Sequence, residues 1–140
     1  MATTRQALSQ LLERNGVRAT PRRLEVLEEL AQERDDVTAQ QLWSRLRGRD
    51  SRAGLATVYR TLALLSEKGV VDVLSHQGGE QCYRLCGDEH HHHLLCECCH
   101  RVVEVQECGL DDWVSAAAKR HGFVATDHRV EIVGLCADCR

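Results

Sequence analysis

The apolar positions of this chain repeat with two different periods, and the change falls near its middle. Leu8, Leu11 and Leu12 recur at helical spacing within residues 4–15, and Asn15-Gly16 closes that stretch as a helix terminator. Thr20-Pro21 opens a second helix, Thr20 as N-cap and Pro21 in the first turn; Leu24, Val26, Leu27, Leu30 and Ala31 form its apolar stripe, which fades at Asp35-Asp36. Thr38-x-x-Gln41 is a capping box for a third helix holding Leu42, Trp43 and Leu46. A polar connector over 48–54 leads to a fourth helix, about 54–68, in which Leu55, Val58, Leu62 and Leu65 mark the buried side. Beyond Gly69 the period shortens to that of a strand. Val71 and Val73 alternate with Asp72 and Leu74, His76-Gln77-Gly78-Gly79 turns, and residues 81–85 run back. The remainder predicts strand 92–97, strand 101–106, a helix over 110–121 with Trp113, Val114 and Ala117 on one face, and a long last strand over 123–135.

Helices followed by a hairpin give the layout of a winged helix-turn-helix, whose reading helix lies in the major groove of DNA. On the fourth helix Thr57 and Arg60 occupy the face opposite the apolar stripe, with Tyr59 on its flank. Arg there can pair with guanine and an aromatic ring can meet a thymine methyl. The blander alternative is a solvated helix face. The expected class is α+β: an N-terminal winged-helix DNA-binding domain over 1–85 and a C-terminal α/β dimerisation domain over 86–140, joined by a short segment near 84–88. The small second sheet with one helix leaves a face or edge open, for which a second copy of the chain is the natural cover.

Charge changes the picture once it is divided. The net charge of −3 argues weakly against nucleic acid. Residues 1–85, however, hold 13 Lys+Arg against 11 Asp+Glu, whereas residues 86–140 hold 5 against 10. The front half tolerates a polyanion and the back half gathers cations. No apolar run approaches the length of a membrane span and no signal peptide is evident, so the cytoplasm is the expected compartment, with no membrane partner. The eight cysteines are then expected as thiols or metal thiolates.

The candidate chemistry is concentrated in His90-His91-His92-His93-Leu94-Leu95-Cys96, followed by Cys99 and answered by Cys136 and Cys139. Two Cys-x-x-Cys turns complete a four-thiolate tetrahedron, the geometry of structural zinc. A disulfide framework needs an oxidising compartment, and a redox Cys-x-x-Cys needs a thioredoxin-like context. The histidine tract is internal and runs into an apolar strand, unlike a purification tag. If it continues that strand, His90 and His92 face one way and His91 and His93 the other, so one tract serves two metal sites.

Thr20-Pro21-Arg22-Arg23-Leu24, Gly54-Leu55-Ala56-Thr57-Val58-Tyr59-Arg60-Thr61-Leu62, the four histidines before Cys96 and the two Cys-x-x-Cys pairs together resemble the ferric uptake regulator family, and within it the zinc uptake regulator branch. The resemblance spans nearly the whole chain. It implies a homodimeric, metal-activated transcriptional repressor of double-stranded, palindromic operator DNA. Tyr59 and Arg60 are then implied to touch bases and Arg18 to approach the DNA backbone or minor groove. It also implies a structural zinc on Cys96, Cys99, Cys136 and Cys139. Asp72, Cys86, His91 and His93 are implied as the hinge site that senses zinc, and His90, His92, Asp111 and His128 as a second regulatory site, giving roughly two to three Zn2+ per chain. Departures from the family pattern are His100, where Gly usually follows the knuckle, Asp111 in a place often held by Glu, and the thiols Cys82, Cys98 and Cys108, to which the pattern gives no role. Glu104 and His76 are the substitutes if Asp111 is too short, or if it is only a helix N-terminal acid.

The Cys86 thiolate, added to two imidazoles and a carboxylate, favours four-coordinate zinc over ferrous iron or manganese. Iron, manganese and peroxide sensors of the same family are the nearest alternatives. A cytosolic zinc buffer or metallochaperone accounts for the thiols but not for the Thr57-Tyr59-Arg60 face. A zinc hydrolase or deaminase needs an open position and a Glu as acid and base; neither HExxH nor His-x-Glu with Pro-Cys-x-x-Cys occurs, so an enzyme is not expected.

Overall fold

Side-chain caps mark where the first three helices of this chain begin. In the computed structural model, which describes residues 3–33, 35–76, 79–85 and 89–140, Thr4, Thr20 and Thr38 each accept a backbone N–H at the start of a helix. These helices are α1 (Arg5–Arg14), α2 (Pro21–Ala31) and α3 (Ala39–Gly48), with β1 (Val37–Thr38) just before the last. At Thr38 the capping box is complete in both directions. Gly54 starts α4 (Leu55–Glu67) without a side-chain cap. Gly16 and Gly69 then stand at φ 72° and 73° just past the ends of α1 and α4, the left-handed conformation that stops a helix.

The chain falls into two compact units that divide between residues 88 and 89. In the first, Leu8, Leu12, Val26, Leu27, Leu30, Leu42, Val58, Leu62 and Leu65 form a buried helical core. Leu55, expected among them, is only half-buried, and Thr61 is buried in its turn of the helix. The hairpin is β2 (Val71–Ser75) with β3 (Gln81–Leu85), antiparallel in the register Val73 opposite Tyr83. The predicted turn at 77–78 lies outside the described residues. One element was not predicted: β1 adds a third strand, Val37 pairing with Tyr83 and Thr38 with Cys82, so the sheet order is β1-β3-β2. Two residues are too few for a period of two to register in a sequence.

The second unit is a sheet of β4 (His92–Cys96), β5 (Val102–Val105) and β6 (Glu131–Gly134) in the order β5-β4-β6, with α5 (Asp111–Arg120) between the last two strands. β4 is central, antiparallel to β5 and parallel to β6. The long strand predicted over 123–135 is therefore corrected to four residues. β4 offers only five residues to pair with, and the ladder to β6 is bounded by His93 N–H donating to Val130 O (3.1 Å) and Glu97 N–H donating to Gly134 O (2.9 Å). Phe123 and Val124, which fall outside that reach, are exposed. α5 buries none of its residues, and Leu94, Val103 and Ile132 stand side by side across the three strands, all exposed.

Candidate metal centres and nucleic-acid interface

The parallel pairing of β4 with β6 explains how two cysteine pairs with 36 residues between them meet: it sets Cys96 opposite Gly134, two residues before Cys136. Each Cys-x-x-Cys closes as a turn, through His100 N–H to Cys96 O (3.0 Å) and Cys139 N–H to Cys136 O (3.0 Å). The sulfurs of Cys96, Cys99, Cys136 and Cys139 lie within 4.8 Å of one another, and those of Cys99 and Cys136 are 3.7 Å apart. Zinc–sulfur bonds of about 2.3 Å in a tetrahedron require sulfur–sulfur edges of roughly 3.8 Å, so the donor set fits that ion. The backbone N–H groups of Cys99 and Cys136 hold the Cys96 thiol down at about 6, leaving it a thiolate at neutral pH. Its crowding by neighbouring thiols, Cys136 first, pushes Cys139 up. Arg101 pins the two knuckles together by an ion pair to Asp138 (3.0 Å). His100, the residue that departs from the usual Gly, sits at φ 63°, which explains why a glycine suits that place.

The histidine tract divides into two pairs. His90 and His92 have ring centroids 4.7 Å apart, and His91 and His93 4.8 Å apart. Around the first pair the structure gathers His128 and a residue the sequence reading left without a role, Cys108. His90 Nε2 and His92 Nε2 are 3.3 Å apart, His92 Nε2 and Cys108 Sγ 3.3 Å, and Cys108 Sγ and His128 Nε2 3.1 Å. Three ring nitrogens and a sulfur thus converge at spacings close to the roughly 3.4 Å nitrogen–nitrogen edge of a tetrahedron with zinc–nitrogen bonds of about 2.1 Å. Burial first, then the neighbouring histidines, hold His92 below its ordinary range, which keeps it neutral and able to ligate. Asp111 is not within this group; exposed at the start of α5, it lines an adjoining cavity of about 380 Å³ with His90 and His128. Its place in the first turn of α5, beside Asp112, matches a helix N-terminal acid.

The second pair is joined by Glu104, which pairs with His93 across β4 and β5; the donor atoms of His91, His93 and Glu104 lie within 4.8 Å of one another. Glu104 thus takes its place here and not beside His90. Of the other residues expected in this set, Asp72 is half-buried on β2 opposite Arg84, and Cys86 lies outside the described residues.

In the first unit the buried side of α4, formed by Val58, Leu62 and Leu65, fixes what the helix shows outward. Tyr59 and Arg60 are exposed, and Arg60 donates to Thr57 Oγ1 at 3.4 Å. Between this face and the start of α2 is a cavity of about 280 Å³ lined by Arg22, Arg23, Thr57 and Arg60. Arg18 is exposed just before α2, its carbonyl oxygen held by the Arg23 guanidinium at 2.9 Å. The result is an exposed Tyr and Arg flanked by guanidinium groups, the mixture that suits base edges and phosphates together. No helix among the described residues is long and apolar enough to cross a membrane.

Comparison with known proteins agrees with this construction. The sequence pattern of the ferric uptake regulator family matches residues 14–133. A zinc uptake regulation protein of Mycobacterium tuberculosis is 42% identical over 125 residues, covering 89% of this chain and 96% of the relative. A ferric uptake regulation protein of Shigella flexneri is 37% identical over 133 residues, covering 92% and 89%. Among solved structures, a zinc uptake regulator complexed with zinc and DNA superposes with a TM-score of 0.77 at 30% identity, covering 97% of this chain and 95% of that one.

Proposed function

The chain belongs to the ferric uptake regulator family, and from that premise we propose that it is a cytoplasmic, zinc-responsive repressor that binds palindromic operator DNA. At the coarser level it is a metal-responsive transcriptional regulator and not an enzyme, working as a homodimer on double-stranded DNA. The observation that carries the zinc reading is the cluster of His90, His92, Cys108 and His128, whose successive donor atoms lie 3.1–3.3 Å apart. A thiolate with three imidazoles, at tetrahedral spacing, is a set for zinc; ferrous iron and manganese favour oxygen-rich, six-coordinate surroundings. The similarity to a zinc uptake regulation protein supports the same choice.

The residues then divide the work. Cys96, Cys99, Cys136 and Cys139 hold a structural ion that fixes the end of β4 to the end of β6. His90, His92, Cys108 and His128 hold a regulatory ion. His91, His93 and Glu104 offer another donor group, to which Asp72 and Cys86 are the further ligands proposed. Bound zinc would supply positive charge at each and tie together the segments that carry its ligands. On the DNA side, Arg60 and Tyr59 read bases in the major groove, Thr57 holds the Arg60 guanidinium in place, and Arg18, Arg22 and Arg23 meet phosphates.

One observation favours a second reading. Two imidazoles and a carboxylate, as in His91, His93 and Glu104, suit ferrous iron, and the similarity to a ferric uptake regulation protein runs the same way. A mobility-shift titration on a palindromic AT-rich duplex separates the two. Zinc at buffered free concentrations should promote binding that a chelator abolishes, and ferrous iron at matched concentrations should not. Activation by iron and not by zinc would replace the zinc reading with the iron one.

A further inference from the structure

The first unit contains a convergence of metal-ligating side chains that none of the sites above uses. Asp36 immediately precedes β1, His76 immediately follows β2, and Cys82 lies on β3, the strand between them in the sheet. One donor atom from each lies within 4.8 Å of the other two. All three are closed off from solvent: the side chains of Asp36 and His76 are 1% and 5% exposed, and Cys82 is 3% exposed. His76 Nε2 contacts Asp36 Oδ2, but Asp36 Oδ1, also buried, accepts no hydrogen bond among the described residues.

A buried His–Asp pair alone is the simpler construction, and it leaves the Asp36 Oδ1 atom unexplained. A carboxylate oxygen without a partner inside a protein is rare because nothing replaces the water it gave up. One divalent cation resolves this and gives the neighbouring Cys82 thiol a role. It would accept Asp36 Oδ1, and its two positive charges would balance one carboxylate and one thiolate, leaving a neutral buried cluster with the His76 imidazole as third ligand.

We propose that Asp36, His76 and Cys82 form a divalent-cation site of the zinc class inside the winged-helix unit, separate from the centres of the second unit. The mixture of nitrogen, oxygen and sulfur donors selects that class over calcium or magnesium. Its ligands come from beside each of the three strands, so an ion there fixes the β2–β3 hairpin to β1. Metal occupancy thereby acts on the DNA-binding unit directly, in addition to any control exerted from the second unit.

The test uses the full chain, equilibrated with buffered free zinc and then freed of loose metal by desalting. Parent protein should retain one more equivalent of zinc per chain than Asp36→Asn or Cys82→Ser, each of which leaves every ligand of the second unit in place. Retention equal to the parent in both variants would reduce the trio to a structural His–Asp pair and overturn the proposal. Should either variant fail to fold by circular dichroism, the parent itself decides. With 15N-labelled histidine, the His76 ring nitrogens should shift on zinc addition, and an unmoved His76 signal at saturating zinc would overturn the site.

Discussion

Cys108 and Asp111 lie three residues apart, and only one of them stands among the histidines. Cys108 Sγ is 3.3 Å from His92 Nε2 and 3.1 Å from His128 Nε2, whereas Asp111 lines the cavity alongside. Cys108→Ser should therefore weaken zinc at this centre by more than the roughly 10–100-fold that losing an outer partner costs, and Asp111→Asn by no more than that. Competition with a colorimetric chelator measures both, and the reverse order would return the carboxylate to the site. At the four-thiolate centre the expected effect is larger. Structural zinc contributes about 10–16 kcal/mol in small modules, comparable to or above the whole stability of a domain at roughly 5–15 kcal/mol. Cys96→Ser or Cys139→Ser should abolish the folded dimer in size-exclusion chromatography, and a folded, zinc-free dimer of either would remove the assignment. Legibility in the sequence follows the same division. The Cys-x-x-Cys pairs are local turns, written in four residues each. Cys108 reaches the histidines from the irregular stretch between β5 and α5, and His128, which only family resemblance brought in, from the one between α5 and β6; no period exists to read in either. Glu104 is an intermediate case: its pairing with His93 follows from the β4–β5 register once the hairpin is known.

At the scale of elements, α2 and α3 were legible because each is written twice, once in its apolar stripe and once in its cap. Thr20 with Pro21, and Thr38 with Gln41, place the starts of α2 and α3 without any tertiary information. Strands are written less fully, since their length is set by partners remote in sequence. β1 is two residues long only because β3 accepts Val37 and Thr38 there, and β6 stops where β4 ends. α4, the helix proposed to read DNA, follows the first case: its stripe fixes its buried side, and what remains outside is the Tyr59 and Arg60 surface. Arg60→Ala should weaken operator binding by about 1–3 kcal/mol per half-site, the worth of one bidentate contact to guanine. Zinc content and dimerisation should stay as in the parent, because Arg60 is exposed and belongs to neither. Unchanged operator affinity in a fluorescence-anisotropy titration would show that α4 does not read the DNA.

At the scale of the molecule, the second unit does not complete a core from its own residues. α5 buries nothing, Trp113 is 68% exposed, and Ile132 on the edge strand β6 is 53% exposed beside Leu94 and Val103. An apolar row across three strands together with an unburied helix needs cover, and an isologous pair of chains supplies it by meeting like surface with like. Pairing also bears on regulation. A regulatory ion changes a binding equilibrium by about 1–3 kcal/mol per site, so one site in each of two chains supplies roughly 2–6 kcal/mol. Moving a population from 1:99 to 99:1 needs about 5.5 kcal/mol, which a single chain with one such site falls short of and a dimer reaches at its upper range. Ile132→Asp places a charge at the β6 end of that row on each chain, and the symmetry of the pair brings the effect in twice. The substitution should convert the dimer to monomer in sedimentation experiments while leaving the first unit, which has its own buried helical core, folded by amide exchange. Binding to a palindromic duplex should fall much further than with Arg60→Ala, since a monomer engages one half-site and loses the doubled coupling. A variant that stays dimeric at micromolar concentration would show that the Leu94, Val103 and Ile132 row faces solvent in the assembled protein, and would move the interface to α5 and the Phe123–Val124 segment.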